Sequence, residues 1–231
     1  MNIIITGGAN GIGKQIALQL AKIKGNTVLI TGRDAVTLAK VADTAEVRNI
    51  SYLVCDFRNG QLSDGSFRKN VKSVFDSVDI LINNAGTLVS KDFAEITGFE
   101  AREMMEVNFF APVEIIRTLL PLMSKGSHIV NISSMGGFQG SAKFRGLSYY
   151  SASKAALACI SECLAGEFLE LKISVNCLAL GSVQTEMLEK AFPGYIAPVS
   201  ATEMGKFIAD FALNGSKVYN GKIIPVALTT I

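Results

Sequence analysis

The run Asn2-Ile3-Ile4-Ile5-Thr6-Gly7-Gly8-Ala9-Asn10-Gly11-Ile12-Gly13 opens the chain and decides its fold class. Residues 2–5 read as a short buried strand, because β-branched isoleucines suit a pleated surface packed on both faces. A glycine turn follows, and then a helix predicted to run through Lys22. Strand, turn and helix form the first half of a βαβ unit. Glycines let the backbone come close to a phosphate, and the helix N-terminus offers free N–H groups and the positive end of its dipole. Two phosphate motifs overlap here. Gly8-x-x-x-x-Gly13-Lys14 nearly spells a P-loop, but Gln15 stands where Ser or Thr would hold magnesium. Thr6, Gly7, Gly11 and Gly13 match a T-G-x-x-x-G-x-G variant of the dinucleotide fingerprint in full. The dinucleotide is the preferred reading.

Outward from this turn, strands are expected at 26–31, 50–55, 79–82, 128–132, 173–177 and 222–226. A weakly patterned helix carrying Phe67, Val71, Val74 and Phe75 precedes the fourth strand, and long helices are expected at 99–123, 150–169 and 202–213. Seven strands alternating with helices imply an α/β fold: a doubly wound parallel seven-stranded sheet with helices on both faces, the Rossmann fold. At 231 residues, with no linker or repeat, 1–231 reads as a single NAD(P)-binding domain with its catalytic and substrate region built in.

The second strand ends in Gly32-Arg33-Asp34. An acidic residue there would accept bonds from a ribose 2′-OH, whereas a planar guanidinium suits a 2′-phosphate. Arg33 therefore favours NADP(H) over NAD(H), with Asp34 as the alternative contact.

Composition narrows the function classes. Hydrophobic residues make up 49% and charged residues 18%, the balance of a folded chain with a buried core. The 22 basic and 20 acidic residues are scattered, so neither a nucleic-acid surface nor an acidic tail is expected. No apolar run reaches membrane-spanning length, and no signal peptide precedes the first strand, so a cytoplasmic protein is expected. Cys55, Cys159, Cys163 and Cys177 have no C-x-x-C spacing, and His128 is the only histidine; they read as thiols in a reducing compartment and a structural imidazole, with no metal site.

Chemistry concentrates in Ser148-Tyr149-Tyr150-Ser151-Ala152-Ser153-Lys154. Tyr150 and Lys154, four apart, share a helix face. An ammonium beside a phenol lowers its pKa from about 10 towards neutrality, and such a tyrosine can exchange a proton with a carbonyl or an alcohol. Tyr149 points elsewhere.

Thr6-Gly7-x-x-x-Gly11-Ile12-Gly13, Asn83-Asn84-Ala85-Gly86, Asn108, Ser134, Tyr150-x-x-x-Lys154 and the segment 176–185 together resemble the short-chain dehydrogenase/reductase family over nearly the whole chain. The resemblance implies an oxidoreductase that interconverts a ketone or aldehyde and an alcohol by hydride transfer. Tyr150 would be the acid/base, Lys154 would bind the nicotinamide ribose and tune the phenol, and Ser134 would polarise the substrate oxygen. Asn108 would hold a water in a proton relay. Gly7, Asn10, Gly11, Ile12 and Gly13 would line the pyrophosphate and Arg33 the 2′-phosphate. Asp56 and Phe57 would meet the adenine, Asn84, Ala85 and Gly86 the adjoining ribose region, and Val183 and Thr185 the carboxamide. The partner is a small carbonyl or alcohol substrate, and a homodimer or homotetramer is expected, with Ala155, Ala156, Ala158, Ile160 and Leu164 suited to close packing.

The segment between Ser134 and Tyr150 is about three residues longer than the family pattern. It carries Lys143 and Arg145, which would meet an anionic group or simply stay solvated. Phe138, Phe144, Leu180, Met187 and Leu188 are expected to make the pocket apolar. The alternatives are reduction of a 3-oxoacyl thioester on an acyl carrier and a non-catalytic nicotinamide-dinucleotide sensor.

Overall fold

The computed structural model describes residues 1–44, 48–59, 62 and 65–228. Seven parallel strands lie in the order β3-β2-β1-β4-β5-β6-β9, formed by β1 (Asn2–Thr6), β2 (Thr27–Gly32), β3 (Ile50–Val54), β4 (Ile80–Asn83), β5 (His128–Ser134), β6 (Ser174–Leu180) and β9 (Ile223–Val226). The order reverses between β1 and β4, so the carboxyl ends of these strands diverge into a crevice where ligands of such sheets bind.

Alternation along β1 assigns the two faces. Ile3 and Ile5 pack with α1 (Gly11–Ala21), α2 (Ala35–Thr44) and α8 (Ala201–Asn214), through residues such as Ile16, Leu38 and Ile208. Ile4, on the opposite side, packs with α3 (Ser66–Lys72), α5 (Ala111–Leu119) and the end of α6 (Ser148–Glu167), through Phe67, Ile115 and Ala165. All three isoleucines are fully buried. A strand so enclosed must be apolar on both sides, which is why Ile3-Ile4-Ile5 reads as a continuous run.

Three features differ from the sequence expectation. The helix α2 was not expected at all; Asp34 caps it, its Oδ1 accepting from the N–H groups of Val36 (2.9 Å) and Thr37 (3.1 Å). The expected helix over 99–123 is broken into α4 (Gly98–Met105), a π-helical turn (Glu106–Phe110) and α5. Proline 112 explains the break: it has no N–H for the carbonyl of Asn108, four residues back, and its ring crowds that carbonyl. Finally, the stretch after β6 forms β7 (Val183–Gln184), α7 (Glu186–Ala191) and β8 (Val199–Ser200), with β7 and β8 pairing as a small parallel ladder.

His128 is structural, as its place before an apolar run suggested. Its Nδ1 donates to Ala212 O (2.9 Å), its Nε2 accepts from Asn176 Nδ2 (3.1 Å), and its ring packs against Phe211. Burial holds the imidazole below its ordinary pKa of 6.5. Below that value the unfolded chain binds a proton that the folded chain refuses, so stability falls as pH drops below 6.5. His128→Gln is expected to remove this component of the decline, which thermal unfolding of both proteins between pH 7 and 5 measures; identical pH profiles would show that the ring titrates freely.

Candidate active site

The crevice at the strand ends is a cavity of about 830 Å³ reaching from Arg33 at one end to Phe192 at the other. Gly7, Asn10, Gly11 and Ile12 form its floor at the start of α1, which has no side-chain cap and no acidic residue in its first turn. These are the conditions for an anion at a helix N-terminus. Gly13 lies beneath, out of the cavity, because its missing side chain lets α1 close on the turn: a Cβ there would stand 2.2 Å from the Gly7 carbonyl oxygen. The same contact admits Asn84, whose Nδ2 donates to the carbonyls of Thr6 (3.0 Å) and Gly7 (3.1 Å). Thr6 Oγ1 in turn accepts from the N–H groups of Asn84 and Ala85, both at 3.0 Å. The loop after β4 is thus stapled to the glycine turn after β1, and Ala85 and Gly86 are held in the cavity wall.

At the far end of this floor Arg33 is exposed in the wall beside Asp56 and Phe57. Asp34, engaged in capping α2, is held below the ordinary carboxylate range first by its bonds from Thr37. Sequence reasoning missed Arg58. Its Nε donates to both oxygens of Asp56 (3.0 and 3.1 Å) and its Nη2 to Oδ2 (2.5 Å), and it keeps the Asp56 carboxyl ionised to lower pH than usual. Val183 and Thr185 also line the cavity, Thr185 close to Gly11, and Thr185 Oγ1 caps α7 by accepting from Leu188 N (3.2 Å).

The residues expected to carry the chemistry meet where β5 and α6 come together. Ser134, the last residue of β5, accepts from Gly136 N (3.1 Å), and both it and Tyr150 line the cavity. Ser133 points the other way, donating to the Lys154 carbonyl (2.8 Å), and so ties α6 to β5. Lys154 is buried, with its Nζ donating to Ile132 O (2.9 Å). Asn108 is fully buried behind it in the π turn: its Oδ1 accepts from Thr87 N (2.8 Å), and its Nδ2 donates to Thr87 O (2.9 Å) and Ser153 Oγ (3.0 Å). A Cβ on Gly86 would lie 3.2 Å from Asn108 Oδ1 and 3.3 Å from Lys154 Nζ, so glycine there keeps amide and ammonium close.

One expectation is reversed. The phenol of Tyr150 was expected to be pulled down by Lys154; burial instead pushes its pKa above 10, and the Ser134 hydroxyl offsets this only in part. Lys154 turns its Nζ to the Ile132 carbonyl, and its own burial lowers it from 10.5 to about 8. The loop cations are also accounted for. Arg145 forms an ion pair with Asp92, and Lys143 Nζ donates to Phe138 O and Ser141 Oγ, both at 2.7 Å. Phe144, Leu180, Met187 and Leu188 line the main cavity, joined by Phe192 and Tyr195, but Phe138 turns into a smaller neighbouring one. No cluster of metal-ligating side chains occurs among the described residues.

The short chain dehydrogenase family pattern matches residues 1–195. This chain belongs to that family. It is 37% identical over 193 residues to a fatty acyl-CoA reductase of Acinetobacter baylyi, covering 80% of this chain but only 63% of that protein's length. It is 33% identical over 190 residues to the 3-oxoacyl-[acyl-carrier-protein] reductase of Aquifex aeolicus, covering 80% of this chain and 74% of the relative. Among solved structures, a dehydrogenase/reductase from Sinorhizobium meliloti superposes with a TM-score of 0.82 at 27% identity, over 98% of this chain and 93% of that one. A short chain dehydrogenase from Burkholderia cenocepacia in complex with NADP superposes with a TM-score of 0.85 at 24% identity, over 97% and 95% of the two chains. The crevice suits the nicotinamide dinucleotide expected of that family: a glycine floor at an uncapped helix start, and Lys154 and Tyr150 beside it.

Desolvation of Lys154 has a measurable signature. Between pH 8 and 10.5 the unfolded chain holds a proton that the folded chain has released, so wild-type stability rises with pH across that window relative to Lys154→Met. Denaturant midpoints for the two proteins measure the difference; parallel midpoints would mean that the ammonium is hydrated.

Proposed function

We propose that the chain is an NADP(H)-dependent reductase of a neutral aldehyde or ketone, the same site running the reverse oxidation of the alcohol. The observation that carries this reading is that the hydroxyl residues Ser134 and Tyr150 line one cavity together with Phe144, Leu180, Met187 and Leu188, with Lys154 buried alongside. The cofactor, when bound, supplies a hydride to the carbonyl carbon. As the C=O π electrons move onto oxygen, the Ser134 hydroxyl donates a hydrogen bond to that oxygen and Tyr150 transfers its proton to it, leaving an alcohol. A phenol held protonated at neutral pH is ready for the donor role. Lys154 stabilises the phenolate that remains. Asn108, in hydrogen-bond contact with Thr87 and Ser153, positions the lysine end of the route by which the phenol regains its proton.

The NADP(H) preference is supported by the division of work at Arg33-Asp34: the carboxylate caps α2 and the guanidinium faces the cavity. Gly7, Asn10, Gly11, Ile12 and Gly13 would bear on the pyrophosphate, Asp56 and Phe57 on the adenine, Asn84, Ala85 and Gly86 on the ribose region, and Val183 and Thr185 on the carboxamide. We take residues 1–231 as one functional unit, cytoplasmic, assembling as a homodimer or homotetramer. None of the four cysteines is bridged to another, and no helix among the described residues is long and apolar enough to cross a membrane.

The acyl-carrier thioester alternative has the Aquifex relative in its favour. Against it, Lys143 and Arg145 are both held by partners within the protein.

Tyr150→Phe is expected to lower kcat/KM for a ketone or aldehyde by about 10²–10⁴-fold while leaving NADPH affinity unchanged. A fully active variant would remove Tyr150 from the mechanism. Arg33→Ala is expected to weaken NADPH binding by about 10- to 100-fold, the loss of a charged hydrogen bond, and to leave NADH binding unaltered. Fluorescence of the reduced nicotinamide reads both affinities against a low background, because the chain has no tryptophan. Equal losses for both cofactors would overturn the role of Arg33.

A further inference from the structure

Arg58 is placed by the turn that follows β3. Gly32 pairs with Val54, and Cys55 N donates to Gly32 O (2.8 Å), so Arg33 and Asp56 leave neighbouring strands at nearly the same level. Adjacent strands lie only about 5 Å apart. The chain then turns through the 3₁₀ segment Phe57–Asn59, with the Phe57 ring buried and 6.5 Å from that of Phe67 between centroids. That turn brings Arg58 back onto Asp56. Its backbone N–H donates to Asp56 Oδ1 (3.0 Å), alongside the side-chain contacts from Nε and Nη2 described above.

Four N–H contacts from one residue take up the lone pairs of the Asp56 carboxylate, which number about four. The carboxylate is committed to Arg58. Its second cationic neighbour is Arg33, which acts after Arg58 to hold it ionised. Arg33 itself forms no hydrogen bond or ion pair among the described residues. The other charges lining this end of the cavity are Asp34, engaged in capping α2, and Glu103, whose Oε1 lies 3.9 Å from Arg58 Nη1. Two guanidiniums thus face three carboxylates. With Arg58 taken away, Arg33 would be the one cation left at this end. Asp56, at the end of the neighbouring strand, would then be an acceptor without a partner.

We propose that Arg58 sets the cofactor preference at one remove: by occupying Asp56 it keeps Arg33 free to receive the 2′-phosphate of NADP(H). Arg33 is the contact, and Arg58 is a positioning residue. The proposal rests on the NADP(H) reading and adds the element that makes it specific. A carboxylate released from its partner would draw Arg33 into an ion pair and repel a phosphate that carries nearly two negative charges. Asp56 accordingly acts on the cofactor through the two arginines. A cofactor with a bare 2′-hydroxyl has no such charge to lose, so its binding does not depend on Arg58.

Direct titration of NADPH and of NADH, read by nicotinamide fluorescence, gives the ratio of the two dissociation constants with no turnover required. Arg58→Met, which keeps an apolar stem, is expected to reduce the preference for NADPH about 3- to 10-fold, the scale of a partly exposed charge, through the NADPH constant alone. The difference from wild type is expected to shrink at about 1 M salt, where the Debye length is about 3 Å. Adding Asp56→Asn removes the carboxylate that would capture Arg33, and the double variant is expected to return to within about twofold of the wild-type ratio. Arg58→Lys, which keeps a cation on Asp56, is expected to hold most of the preference. In an Arg33→Ala background, Arg58→Met is expected to leave the ratio nearly unchanged, since no contact remains to be protected. A double variant as weak for NADPH as Arg58→Met would make Arg58 a direct phosphate ligand or a mere prop of the turn, and overturns the proposal. The wild-type ratio tests the reading beneath it. No preference for NADPH overturns both; a preference that Arg33→Ala abolishes and Arg58→Met leaves intact overturns the role of Arg58 alone.

Discussion

A single buried ammonium sets the terms for the candidate site. Lys154 sits in the interior against the carbonyl of Ile132, and an unpaired charge there would cost several kcal/mol. Everything around it works to make that position tolerable. Ser133 ties the lysine's own backbone to β5, the glycine at 86 leaves room for the chain end, and the Asn108 amide stands behind it. The result is a lysine whose proton is loosely held, next to a phenol whose proton is tightly held. That is the reverse of the ordering that helix spacing suggests. It leaves the Tyr150 side chain a phenol, rather than a phenolate, in the cavity wall.

Much of this was legible in the sequence. Buried parallel strands announce themselves as apolar runs, and the glycine turn followed by a helix fixed the crossover on which the sheet is built. That Ser134, Tyr150 and Lys154 would come together in one cavity was readable too, since they belong to two adjacent elements whose spacing is regular. What escaped was local and depended on hydrogen bonds that spacing does not encode. Asp34 invited a reading as a ribose ligand, and that reading hid its work as the cap of α2. That helix is itself faint, with Leu38 and Val41 its only fully buried residues and β-branched side chains along its length. The π turn at Asn108 had a visible signal in Pro112, four residues on, but the apolar pattern of 99–123 runs through it unbroken. The partnership of Arg58 and Asp56 belongs to a short 3₁₀ turn, which no periodicity marks.

The two ends of the crevice are chemically unlike. Arg33, Asp56, Arg58 and Glu103 gather at one end, a polar and hydrated surface suited to a charged ligand that is held by its periphery. The other end is walled by Phe144, Leu180, Met187, Leu188 and Phe192. Between them lie the hydroxyl pair and the lysine. A reaction in which charge appears only briefly on an oxygen gains most from fixed donors in such a place, because nothing has to reorient when the charge develops.

The outer edge strand has a bearing on the fate of the whole molecule. In β9, Val226 turns its carbonyl inward to Gly181 N, so Pro225, one residue before it, faces away from the sheet. An incoming strand seeking to extend the sheet on that side meets no N–H at this position. The opposite edge, β3, has no such interruption and leaves Tyr52 and Val54 partly bare. Strand addition to this sheet is therefore disfavoured at β9 relative to β3.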